Sequence, residues 1–186
     1  MYGIAKILKR AVTAFFLIGA LSPAVWAQDA DIDALLEQLR TADPSEAERI
    51  ESEIWNEWSR SGSAAMDLLL QRGREAMEAE DTAAAIDHFS ALIDHAPGFA
   101  EGYNARAMAF YSEGDFGQAL ADIRKTLELN PQHFGAISGL ALILQELGRD
   151  EQALEAWRAV EALHPSREGL KETIEALERA VEGVTL

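Results

Sequence analysis

Three prolines, Pro97, Pro131 and Pro165, stand 34 residues apart, and the text before each is a variant of one phrase. "GDFGQALADIRKTLELNP" starts at Gly114, "GRDEQALEAWRAVEALHP" starts at Gly148, and "AAAIDHFSALIDHAP" closes on Pro97. A fixed period of this length means a stacked array, because no single unit can bury its apolar face alone. Each unit divides into two segments of helical periodicity. The first segments cover 66–79, 100–113 and 134–147; the second cover 82–95, 116–129 and 150–163. Leu120, Ile123 and Leu127 show the spacing, as do Leu154, Trp157 and Leu163. Gly114 and Gly148 suit the left-handed residue that ends a helix, and Asp81 and Asp115 suit the cap of the helix that follows. Each unit is therefore expected to be a helix–turn–helix.

Small and large side chains alternate in register between the paired helices. Gly73, Ala107 and Ala141 recur on the first helix, and Ala85, Ala119 and Ala153 on the second. Phe89, Ile123 and Trp157 follow one turn later. Small residues at a crossing let two backbones approach while the larger ones fill the space beside it.

With these residues in place the chain resembles the tetratricopeptide repeat (TPR) family. The last unit carries Ile137, Leu140-Ala141, Leu144, Ala153, Trp157 and Pro165; the middle one Tyr103, Arg106-Ala107, Phe110, Ala119, Ile123 and Pro131. The first carries Leu69, Arg72-Gly73, Ala76, Ala85, Phe89 and Pro97, and departs from the pattern at Ala76 and at Glu80, where Gly is usual. The resemblance implies an all-α fold, a right-handed α-solenoid of three repeats at 66–99, 100–133 and 134–167. Residues 28–62 are expected to form an N-terminal helical hairpin, and 166–186 a C-terminal capping helix with Leu170, Ile174, Leu177 and Val181 on one face. In the hairpin, Asp43-Pro44-Ser45-Glu46 starts the second helix, and Ile50, Ile54 and Trp58 line one side, expected to pack on the first repeat. "RSGSA", residues 60–64, is the expected flexible joint.

Residues 1–27 are set apart from the fold. Lys6, Lys9 and Arg10 precede an apolar run from Ala11 to Leu21, and Val25 and Ala27 are short residues before a cleavage point. That is the layout of a secretory signal cut after Ala27, so a periplasmic or secreted location is expected, with no membrane span after cleavage. The chain has no cysteine, so the expected oxidising compartment supplies no disulfide and packing alone holds the fold. Loss of the signal removes three positive charges and takes the formal net charge from −16 to −19. Such a surface repels phosphate backbones, which argues against nucleic acid as a partner and favours a soluble monomer.

Catalytic and metal constellations are weak. Ser138 in Gly135-Ala136-Ile137-Ser138-Gly139 stands one place too late for a nucleophile elbow. Asp29, Asp31 and Asp33 copy the opening of a calcium loop whose required Gly and Glu are replaced by Ala34 and Arg40. His88 and His95 share a helix face, but His133 and His164 lie in later repeats, and all four are expected at the surface rather than on a metal. No phosphate-binding loop occurs. The chain is expected to be no enzyme and to hold no cofactor or metal.

The resemblance further implies that the first helix of each repeat lines a concave groove. The residues inferred to face it are Asp67, Leu70, Arg74 and Met77, then Asn104, Met108 and Tyr111, then Ser138, Leu142 and Gln145. Leu70, Met77, Met108, Tyr111 and Leu142 form an apolar stripe with Arg74 and Asn104 as polar fixtures. Met adapts to varied shapes and Tyr offers area at low entropy cost, so a protein or peptide partner is expected. The basic clamp by which some family members hold chaperone C-termini is not matched, because Ser138 and Leu142 stand where basic residues would be needed. The expected function is an exported binding scaffold in envelope assembly or an adaptor. The alternatives are a homo-oligomer joined through Trp55 and Trp58, or an accessory subunit of an enzyme or metal-binding complex.

Overall fold

A computed structural model describes residues 32–184; the expected signal segment, Asp29 and Asp31 lie outside them. Helix α1 covers residues 32–39, and α2 is Pro44–Trp58. The repeats are α3 (Ala64–Glu78) with α4 (Thr82–His95), α5 (Ala100–Ser112) with α6 (Phe116–Leu129), and α7 (Phe134–Glu146) with α8 (Asp150–Leu163). Helix α9 (Leu170–Val184) closes the array. The described residues contain no strand.

The turn inside each repeat follows one design. Asp81, Asp115 and Arg149 donate their N–H to Ala76, Phe110 and Leu144 O at 2.9, 2.9 and 2.8 Å, which satisfies a carbonyl of the ending helix. The preceding residue is left-handed in all three, with φ of 60° at Glu80, 75° at Gly114 and 66° at Gly148. Glu80 thus adopts the glycine conformation without being glycine, at a steric cost of about 1–2 kcal/mol. Asp81 and Asp115 then cap α4 and α6 through Ala84 N and Gln118 N, both at 3.1 Å. At the start of α2, Asp43 accepts from Ser45 N and Glu46 N at 2.9 and 3.1 Å. These hydrogen bonds to the ionised form hold the Asp43 and Asp115 carboxyls below their usual pKa.

The small–large register is a real crossing. A Cβ on Gly73 would lie 2.2 Å from Phe89 Cε1, so the glycine is what lets α3 close on that buried ring. Helix α3 also packs on α5, and α5 on α7. The first helices therefore form the inner, concave layer of an α-solenoid, and the second helices the outer one. Between layers, Arg106 grips Asp122 with two nitrogens at 2.7 and 2.9 Å and reaches Ser90 Oγ at 3.0 Å, tying α5 to α6 and α4. The adjacent Asp122 carboxylate raises the Arg106 pKa further. Leu170, Ile174 and Leu177 of α9 join Trp157 and Val160 in one buried cluster, covering the end of the last repeat.

The hairpin departs from expectation in where it sits. Its core residues Leu36, Leu39, Ile50, Ile54 and Trp58 cluster with Phe134 and Leu163 of the third repeat, not with the first repeat. The segment after α2 is also pinned rather than loose: Ser61 N and Oγ both donate to Asp67 Oδ1, at 2.8 and 2.6 Å. This fold-back brings Trp55 and Trp58 of α2 onto Phe134 at the start of α7, in the concave layer.

Candidate functional site

The concave face is a ladder of side chains at helical spacing: 67, 70, 74 and 77 on α3; 101, 104, 108 and 111 on α5; 135, 138, 142 and 145 on α7. The hairpin divides it. The rungs in the early turns are covered, and those in the last turns are open.

The covered half is built around Glu101, which is only 3% exposed. Arg74 Nη2 donates to its Oε1 at 2.6 Å and to Ser59 Oγ at 3.0 Å. Asn104 Nδ2 donates to Oε2 at 3.0 Å. His133 Nδ1 accepts the Ala136 N–H at 3.1 Å, so the ring proton sits on Nε2 and is donated to Glu101 Oε2, also at 3.1 Å. Trp58 stacks on the His133 ring at 4.2 Å and 19°. Trp55 meets Trp58, His133 and Phe134 edge-on, each at 5.5 Å. One buried carboxylate therefore ties α3 and α5 to the N-cap of α7, and Arg74 carries the link on to Ser59 at the end of α2.

Arg74 and Asn104 are consequently spent inside the molecule. Arg74 keeps 42% of its side chain exposed, yet its guanidinium is committed to Glu101 and Ser59. Asp67 is held by Ser61. Leu70 is buried. Ser138 is buried, donates to Phe134 O at 2.8 Å and accepts from Arg167 Nη1, with no general base beside it. The open half contains Met77, Met108, Tyr111, Leu142 and Gln145. Met108 and Leu142 expose 41% and 36% of their surface, and the Met108 sulfur lies over Gly139 of the next repeat. Tyr111 rests against Phe116 at 5.8 Å, and Gln145 Oε1 accepts from Trp157 Nε1 at 2.7 Å, which fixes the end of the strip.

Two histidines depart from the expected surface position: His133 is fully buried and His164 is 2% exposed. His164 packs on Phe134 at 5.7 Å. Its Nδ1, like Ser166 Oγ, finds no hydrogen-bond partner in the protein. Both residues line a cleft of about 790 Å³ between the start of α2 and the turn before α9. Burial lowers the His164 pKa below 6.5, Glu51 opposing and Arg167 reinforcing the shift. No group of three or more His, Cys, Asp or Glu among the described residues is arranged to hold a metal. No helix among them is long and apolar enough to cross a membrane.

Sequence reasoning missed Glu101, His133, Gly135 and Arg167 as members of this site. The available signal was the ladder itself: Glu101 and Gly135 are the repeat equivalents of Asp67.

Sequence models of the tetratricopeptide repeat match residues 70–134 and 110–168. A TPR repeat-containing protein of Rhizobium etli is 36% identical over 153 residues, covering 82% of this chain and 75% of its relative. Among solved structures, the first TPR of Spaghetti (RPAP3) bound to the HSP90 peptide SRMEEVD has a TM-score of 0.60 at 20% identity, covering 63% of this chain and 95% of that one. A MamA mutant has a TM-score of 0.53 at 15% identity, covering 86% of this chain and 90% of its own.

Proposed function

Since this chain belongs to the tetratricopeptide repeat family, we propose that it is an exported scaffold that captures a segment of another protein on the open half of its concave face. The observation that carries this reading is the strip of Met77, Met108, Tyr111 and Leu142. These apolar side chains come from the first helices of three successive repeats, at matching ladder positions, with Met108 and Leu142 exposed. Adaptable sulfur side chains beside a rigid aromatic suit a binding surface. Capture is equilibrium binding; no bond is made or broken.

The acidic peptide of the RPAP3 structure is not carried over as a ligand. Arg74 already neutralises Glu101, Asn104 serves the same carboxylate, and Arg167, the other guanidinium at this face, is bonded to Ser138 and lies over the Trp157 ring. A homo-oligomer through Trp55 and Trp58 gains no support, because both rings are engaged by His133 and Phe134 within the chain.

The test is the native complex in the producing cells, followed by its elution mass. Tyr111→Ala with Leu142→Ala should dissolve it while circular dichroism stays unchanged; a complex that persists rejects the groove. Export rests on residues 1–27. N-terminal sequencing of the extracytoplasmic protein should begin at Gln28, and an uncut chain in the cytoplasm rejects that part.

A further inference from the structure

The open strip is bordered on one side by the hairpin and on the other by the ends of α3, α5 and α7. Those three ends point to the same rim, and none has a basic residue in its last turn. Each helix C-terminus carries about half a negative charge. Exposed Glu75, Glu78, Glu113 and Glu146 add full charges there. Among the described residues none of these four forms an ion pair. In the three turns that follow the helices, 79–81, 113–115 and 147–149, Arg149 is the one basic residue.

Resting on the groove reading above, we propose that the captured segment is cationic: a short stretch of a second protein in which apolar side chains alternate with or are flanked by Lys or Arg. An apolar face seated on Met108 and Leu142 puts flanking charges against the rim. A basic segment gains both terms, whereas an acidic one meets like charge along its length. Two interhelix steps of about 8–10 Å separate Met77 from Leu142, so the strip suits about five to six extended residues. The carboxylates act mainly on encounter and selectivity, being exposed and screened by salt.

Panning a random peptide display library on the mature full chain tests this directly. Peptides that also bind the Tyr111→Ala/Leu142→Ala variant are discarded; that variant keeps every charge, so merely adhesive basic peptides are removed. The peptides that remain should be enriched in Lys and Arg over the library. Their affinity should fall about five- to tenfold at low salt in a Glu78→Gln/Glu113→Gln/Glu146→Gln variant. Groove-dependent peptides that are neutral or acidic, or indifferent to the three glutamines, overturn the charge assignment and leave the groove standing. No peptide lost on the Tyr111/Leu142 variant overturns both.

Discussion

Gly135→Ala should loosen the docking of the hairpin while leaving the repeats intact. The added Cβ would stand 2.4 Å from Trp55 Cη2 and 3.0 Å from Cζ2. Comfortable carbon contacts lie at about 3.5–4.0 Å, so the indole must withdraw by about 1 Å. Trp55 holds edge contacts to Trp58, His133 and Phe134, all at 5.5 Å, and a ring pair is worth about 0.5–1.5 kcal/mol. Overpacking costs about 1–3 kcal/mol, and alanine returns up to about 1 kcal/mol of helix propensity. The net loss is then about 1–2 kcal/mol, borne by hairpin docking rather than by the solenoid. Hydrogen exchange reads this element by element. Amides of α2 should exchange about five- to thirtyfold faster, with α5 to α8 unchanged away from the contact. Adding Trp55→Ala removes the clash, so Gly135→Ala should have little further effect in that background. Unchanged α2 protection, or a loss spread evenly over the repeats, would refute the docking geometry.

Other perturbations read the repeats. Glu80→Gly replaces the left-handed glutamate at φ 60° and should stabilise by about 0.5–1 kcal/mol in urea unfolding, once the entropy cost of glycine is subtracted. Gly73→Ala drives a Cβ to 2.2 Å from the Phe89 ring; that ring is 1% exposed, so a loss of about 2 kcal/mol should remain after the propensity gain. Phe89→Ile in the same chain, copying the Ala107–Ile123 pair, should recover part of it. His164 is held neutral by burial, with a pKa below 6.5 in the fold. The unfolded chain then binds the extra proton as pH falls through about 6.5, so stability is full above that value and declines below it. A His164→Phe variant should show a shallower decline from pH 6.5 to 5; equal slopes would remove His164 as the cause.

The repeat half of the molecule was legible because each rule was written three times. Gly114 and Gly148 announced the left-handed turn, and the Gly73–Phe89 pairing announced a tight crossing. The hairpin was legible only as a helix pair. Periodicity shows that Ile50, Ile54 and Trp58 share a face, but it does not say which surface covers that face. The first repeat, next in sequence, is the natural guess, yet the pinned turn at Ser59–Ser61 sends α2 back to His133 and Phe134. The same contact changes the site. A groove read from α3, α5 and α7 alone counts Arg74 and Asn104 as polar fixtures for a partner and Ser138 as a residue facing it. Glu101, a carboxylate in a ladder position, draws the first two inward, and Arg167, arriving from beyond the last repeat, takes the third.

The central claim is that the open end of the concave strip binds a partner while the hairpin occupies the rest. Site-specific photo-crosslinking in the native cells tests it most directly, with the reactive residue placed in turn at Tyr111, at the covered Ser138 and at Lys125 on the outer layer. One distinct protein adduct is expected from Tyr111 and none from Ser138 or Lys125. Adducts arising equally from Lys125, or none from Tyr111 in a folded and abundant protein, would contradict it.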